Sequence, residues 1–226
     1  MQSFRGSPDT LQRMREQTWG PRGEQSQTVR FLTEQVTSGL RPKDYLGEIL
    51  AIRNFALARV RYVNDPLHIE RIKDPERMAW EIATLGSTSA DCDEIAQLIG
   101  TMGLQIGRNA DFVVVGFGGP GDFSHVFARL QEPKTGQWII CDPVAGSDEG
   151  GMARRIQTHQ IWPLDEHAGP PGVRAAAPAA SPTAGVGNWV PTAPPYGAAP
   201  RGGPLTYDPR RPRTAAIQYF RRGAIR

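Results

Sequence analysis

Ser87-Thr88-Ser89-Ala90-Asp91-Cys92-Asp93-Glu94-Ile95-Ala96-Gln97-Leu98-Ile99-Gly100-Thr101-Met102-Gly103 is the stretch around which the chain is organised. It reads as a loop running into an amphipathic helix. Ile95, Leu98, Ile99 and Met102 recur with a helical spacing that puts them on one apolar face. Asp91 and Glu94, three apart, suit a capping box at the helix start, and Gly103 suits its C-terminal stop. Cys92 then falls in the first turn. Unpaired N–H groups and the positive end of the helix dipole favour an anion there, a thiolate included. The carboxylates of Asp91 and Asp93 work against that charge. A reactive thiol here needs a base from elsewhere in the chain. Without one it is a small buried apolar group, as most free cysteines are.

Upstream, Pro75 to Leu85 reads as a helix with Asp74 as its N-cap, Pro75 at its first position and Gly86 as its stop. Met78, Ile82 and Leu85 form its expected inner face, with Trp80 off that face. Tyr62-Val63-Asn64-Asp65-Pro66 reads as a turn. Before it, Tyr45 to Val60 is a helix whose stripe of Leu46, Ile49, Leu50, Arg53, Ala56, Leu57 and Val60 has one polar interruption. Residues 8–38 read as two short polar helices broken at Gly20-Pro21. They form an arm expected to dock on the core or on a partner, and Gly39 and Pro42 separate it from the helix that starts at Tyr45.

Downstream of the cysteine helix the period changes from helical to alternating. Asp111 to Phe117 reads as a buried strand, Phe123 to Leu130 as a second and Gln137 to Pro143 as a third. Gly118-Gly119-Pro120-Gly121 is a loop whose backbone can approach a ligand, and Pro133-Lys134-Thr135-Gly136 is a hairpin turn. Val144 to Leu164 reads as glycine-rich and then weakly ordered. Helices followed by an antiparallel meander make the α+β pattern.

From Ala168 the composition shifts. Eleven prolines, eight glycines and thirteen alanines fill the last 59 residues, so this segment cannot form a core of its own. It carries eight arginines against one acid, Asp208, a balance of +7 out of a total of +3, which leaves −4 for the first 167 residues. The basic pI thus belongs to the tail, and the core is not expected to bind nucleic acid. Trp189, Tyr196, Tyr207, Tyr219 and Phe220 are spaced along the tail like anchors for grooves on other proteins. No apolar run is long enough for a membrane span, and Met1 to Gly6 lacks the apolar core of a signal peptide. Two distant cysteines, Cys92 and Cys141, make no disulfide framework.

Thiol chemistry needs a base and a group to orient it. His125 begins the second strand, 33 residues after Cys92, and Asp142 ends the third, 17 further on. Adjacent antiparallel strands can set these two side by side, with the ring turned toward Cys92. His68, His159 and His167 have no comparable partner. The spacing of Cys92, His125 and Cys141 is not that of a metal site, and the glycines at 116–121 are not followed by a helix, as a phosphate loop would be. No cofactor and no metal are therefore expected. Cys141 is expected to be buried and inert, because strand residues alternate and Asp142 must face the site.

Three motifs in this order resemble the transglutaminase-like superfamily. Asp91-Cys92-Asp93-Glu94 opening a helix resembles its cysteine motif, and Ser124-His125-Val126-Phe127 its histidine motif. Gly136-Gln137-Trp138-Ile139-Ile140-Cys141-Asp142-Pro143 is similar to its aspartate motif. The resemblance covers about residues 43–150 and implies a papain-like fold with a catalytic triad of Cys92, His125 and Asp142. Many members have Gly where this chain has Ala90, which puts the turn before Cys92 in question. No oxyanion-hole side chain can be assigned, and the backbone N–H of Cys92 is the one nominee. The stretch from Tyr62 to Glu94, with Asp-Pro at 65–66 and 74–75, is similar to members encoded by tailed bacteriophages and prophages.

The expectation is an α+β protein with a papain-like, transglutaminase-like core over residues 42–167, helices packed on an antiparallel sheet. Residues 1–41 are its N-terminal helical arm and 168–226 its extended tail. The implied activity is that of a cysteine enzyme acting on amide bonds of a protein or peptide, by hydrolysis or acyl transfer. The alternative is a structural component of a phage virion, joined to other proteins of the assembly through residues 168–226 and 1–41, with the triad vestigial or used during assembly. A virion or a bacterial cytoplasm is the expected location.

Overall fold

The computed structural model describes residues 8–64, 72–119, 121, 123–142 and 155–164. In chain order these form helices and strands α1 (Pro8–Trp19), α2 (Gln27–Thr37), α3 (Tyr45–Arg59), β1 (Val60–Tyr62), α4 (Pro75–Leu85), β2 (Thr88–Ala90), α5 (Cys92–Gln105), β3 (Ala110–Gly116), β4 (His125–Gln131), β5 (Trp138–Cys141) and β6 (Thr158–Pro163). The class is α+β. Helices pack on a four-stranded antiparallel sheet in the order β5-β4-β3-β6, and a two-stranded parallel ribbon joins β1 to β2. The tail from 168, with the assembly contacts and the phage role expected of it, lies outside the described residues.

Local signals place the helices. Asp74 accepts from the Arg77 N–H at 2.8 Å, Pro75 takes the first turn, and Gly86 ends α4 in the left-handed region at φ 85°. Asp44 caps α3 by accepting from the Gly47 N–H, and Ser26 caps α2 by accepting from the Val29 N–H. The capping box at Asp91 and Glu94 is formed.

Helix α5 departs from the expectation in two ways. It is buried on every side from Cys92 to Gly103 rather than along one stripe. It also runs through Gly103 to Gln105, so Gly103 is not its stop. A Cβ on Gly103 would run into the Leu130 side chain, and one on Gly100 would lie 2.8 Å from Leu164 Cδ1. The two glycines let the helix approach the sheet closely. On its other sides α5 is covered by the remaining helices. Leu11, Met14, Val29, Leu32, Ile49, Ile52, Met78 and Ile82 share one core with Ile95, Leu98, Ile99 and Met102. Gln97 donates to Met14 O and Gln17 Oε1, and Gln105 to Glu24 O and Ser26 O, so buried amides tie α1 and α2 to the central helix.

Other expectations change as well. Leu85 is 71 % exposed and Leu57 55 %, and α3 buries Ile49, Ile52 and Ala56 instead of the full stripe. Trp80 lies at the surface under the Arg77 guanidinium. Val60, read as the last residue of a helix, and Tyr62, read as the start of a turn, belong to β1 (Val60–Tyr62), which pairs with Thr88–Ala90 of the expected loop, β2. The stretch read as weakly ordered before Leu164 contains β6, which pairs with β3 along its length and buries Trp162. Strand β3 is thereby central and buried on both faces, which accounts for its uninterrupted apolar run.

Candidate active site

Register brings the strand residues together. Directly opposed Asp111 and Arg129 form a buried ion pair between β3 and β4, with contacts of 2.6–2.7 Å. Val126, Ala128 and Leu130 of β4 and Ile139 and Cys141 of β5 point into the core with α5, whereas Phe127 and Ile140 pack on the other face. His125 and Asp142 share the parity of that second face. Ala128 pairs with Cys141, and one further step sets Asp142 opposite Phe127, two residues from His125. The pair is thus diagonal across two strands, within reach for long side chains. His125 Nε2 lies 2.7 Å from Asp142 Oδ2, and both residues are buried.

Cys92 is the first residue of α5 and lies beside the same imidazole, close enough to shift its proton affinity. With Nε2 held by Asp142, Nδ1 is the ring nitrogen left for the thiol. Burial by itself would pull the imidazole's pKa down. The Asp142 hydrogen bond, the Cys92 hydrogen bond and the negative charge of both partners outweigh it and push His125 from 6.5 up to about 10. The ring is therefore held in its protonated form, with a carboxylate on one side and a sulfur on the other. The structure brings together Cys92, His125 and Asp142, the three side chains singled out from the sequence.

The segment leading to Cys92 is braced. Glu94 Oε1 accepts from the Lys73 N–H at 2.7 Å, and Oε2 from the Asp91 N–H at 3.2 Å. Lys73 Nζ reaches Ser89 O at 2.7 Å and pairs with Glu81 at 3.1 Å. Burial raises the Glu81 pKa, but the Thr88 hydroxyl, Lys73 and Arg77 together hold the carboxyl below its ordinary range. Ala90 needs no left-handed backbone, since Lys43 is the one non-glycine residue with positive φ among the described residues. Ala90 instead pairs with Tyr62, and its carbonyl accepts from the Val63 N–H at 2.9 Å.

The same strand pairing supplies a site residue that sequence reasoning missed. Tyr62, two positions in register from Cys92, lies close enough to the thiol for the two groups to act on each other's charge. Burial first, then the charges of Cys92 and Asp91, raise its phenol above the ordinary value of 10. The only signal for it was the strand-forming run Val60-Arg61-Tyr62-Val63, and this run is short and directly abuts the end of α3. Cys141 is fully buried, its thiol is pushed up to about 12 mainly by burial, and its Sγ contacts Ile139 O at 3.6 Å.

A thiol and a carboxylate on opposite nitrogens of one imidazole can pass a proton from sulfur to a leaving group. Among the described residues, no group of three or more His, Cys, Asp and Glu is arranged to hold a metal, and no helix is long and apolar enough to cross a membrane. No protein-family model and no curated protein matches the chain. A solved structure of a "putative protease" from Parabacteroides distasonis is similar at 15 % identity and a TM-score of 0.46, over 70 % of this chain. The chain spans 28 % of that protein's length.

Proposed function

We propose that the chain is a papain-like, transglutaminase-like cysteine enzyme acting on amide bonds, with Cys92 as nucleophile, His125 as base and acid, and Asp142 as the group that orients His125. The observation that carries this reading is the shared ring: His125 meets Asp142 at 2.7 Å on Nε2 and lies beside Cys92. In the reaction the Cys92 sulfur, its proton held by His125, attacks the amide carbonyl carbon and the carbonyl π electrons move to oxygen. Collapse of this intermediate breaks the C–N bond while His125 gives its proton to the departing amine, leaving a thioester on Cys92. Water or a primary amine then attacks the thioester, His125 takes the incoming proton, and the C–S bond breaks to release the acyl product and return Cys92 as the thiolate. Hydrolysis and crosslinking share every step up to that attack.

The test is intact-protein mass spectrometry after brief exposure to p-nitrophenyl acetate. One acetyl group should appear on Cys92, be released by hydroxylamine, and be absent from Cys92→Ala. Acetylation that ignores the Cys92→Ala substitution overturns the reading.

A further inference from the structure

We propose that the Tyr62 hydroxyl is the side-chain half of an oxyanion hole whose other half is the backbone N–H of Cys92, an inference that rests on the acyl-transfer reading above. Geometry supports it from two directions. Parallel pairing of β1 with β2 sets Tyr62 against Ala90, two residues before the thiol, and brings the phenol within electrostatic reach of Cys92. Cys92 is the first residue of α5, so its N–H has no intrahelical acceptor. The oxyanion of the tetrahedral intermediate sits on the carbon newly bonded to that sulfur. A donor already near the sulfur needs only a small swing to meet it.

Tyr62 also has the right protonation state. The phenol is held in its neutral, donating form by burial and by the negative groups around it. No proton transfer from Tyr62 is required. As the C–S bond forms, the carbonyl π electrons move to oxygen and Tyr62 O–H donates a hydrogen bond to that oxygen. As the oxyanion collapses, the leaving amine departs with the proton from His125, and the Tyr62 O–H is freed. Strand β1 fixes the tyrosine backbone beside the cysteine loop through the Val63 N–H to Ala90 O bond of 2.9 Å, so the donor is positioned before substrate arrives. Tyr62 is only partly buried, 43 % exposed, so its ring can meet a substrate from the solvent side.

The experiment compares two reactions of one thiol. Alkylation by iodoacetamide displaces iodide from a tetrahedral carbon and forms no oxyanion, whereas acylation by p-nitrophenyl acetate does. Tyr62→Phe should slow acylation by about 100-fold, the usual cost of one oxyanion donor, and leave alkylation of Cys92 within a few-fold of the parent. Equal losses in both reactions would reduce Tyr62 to a residue that positions the thiol, and no loss in either would remove it from the site. 3-Fluorotyrosine at position 62 keeps the shape and should retain acylation, so the proposal stays testable should the Phe variant fold poorly. A parent protein that alkylates at Cys92 but never acylates would overturn the acyl-transfer reading itself, and the role of Tyr62 with it.

Discussion

His125 Nε2 and Asp142 Oδ2 lie 2.7 Å apart on the diagonal between the first residue of β4 and the residue just past β5, both shielded from solvent. The carboxylate holds Nε2 of the ring and leaves Nδ1 to face Cys92. Asp142→Asn keeps the shape but removes the negative charge that holds the imidazolium proton and fixes the ring toward the thiol. Acylation of Cys92 is expected to fall on the order of 10³–10⁴-fold. A loss of less than tenfold in stopped-flow acylation would mean that Asp142 does not orient the base.

The same contact gives stability a pH dependence of definite sign. His125 is raised from 6.5 to about 10 in the folded protein, so the native state binds its proton more tightly than the unfolded chain does. The stabilisation is fully present below pH 6.5 and is lost as pH rises toward 10. Urea unfolding of the parent and of Asp142→Asn at pH 6, 8 and 10 should show the parent's advantage shrinking at each step. An advantage that grows with pH would contradict a charged His125 in the native state.

Amide cleavage should have an alkaline limit set by the same ring. Departure of the amine needs the imidazolium proton, so turnover of a peptide amide should decline as pH passes about 10, the folded pKa of His125. Active esters leave without that proton, and their acylation should lack the decline. A common limit for both substrates would place the limiting titration elsewhere.

The two thiols should differ sharply. Cys141 is fully buried in the core under α5, with its thiol pushed up to about 12, while Cys92 opens a helix beside a charged ring. Iodoacetamide at neutral pH should label Cys92 first and reach Cys141 only after denaturation, as peptide mapping would show. Faster labelling of Cys141 in the folded protein would point to the wrong nucleophile.

Gly103 is expected to resist substitution. Ala is the better helix former by about 1 kcal/mol, yet its Cβ would run into Leu130 on β4. Overpacking of this kind typically costs about 1–3 kcal/mol, so Gly103→Ala should lower stability despite its propensity. Leu130→Ala opens the space, and the double variant should be more stable than the sum of the two single losses predicts. Additive losses in urea unfolding would show that the close approach of α5 to β4 does not constrain position 103.

Removal of residues 168–226 should leave the fold and the thiol in place. The described core and the site residues all lie at or before Leu164. The truncated chain should melt within a few degrees of the parent and alkylate at Cys92 at the same rate, as differential scanning fluorimetry and mass spectrometry would check. Unfolding on truncation would make the tail part of the core.

Local chemistry was legible in the sequence. Caps and stops at Asp74, Pro75, Gly86 and Asp91 act within one helical turn, so they set the ends of α4 and the start of α5 without help from the rest of the chain. The change from helical to alternating period marked β3, β4 and β5, and the residue types at 92, 125 and 142 made a candidate thiol, base and orienting acid. Their proximity, by contrast, depends on the β4–β5 register and on where α5 crosses the sheet, which no local pattern encodes.

Other features were decided only by the tertiary structure. α5 looked amphipathic because the faces its polar positions meet, α1 and α2, lie about 80 residues away and supply partners for Gln97 and Gln105. Gly103 looked like a helix stop because the Leu130 side chain that requires it belongs to another strand. β6 has too little alternation to announce itself, and among the described residues its strand pairing is with β3. Tyr62 became a site residue through pairing with Ala90, 28 positions on, a contact that is favourable only once the intervening chain has folded back. Capping and periodicity are fixed by neighbours along the chain and can be read there. Burial, strand pairing and the approach of a side chain to a distant thiol are fixed by neighbours in space, and only the folded molecule supplies those.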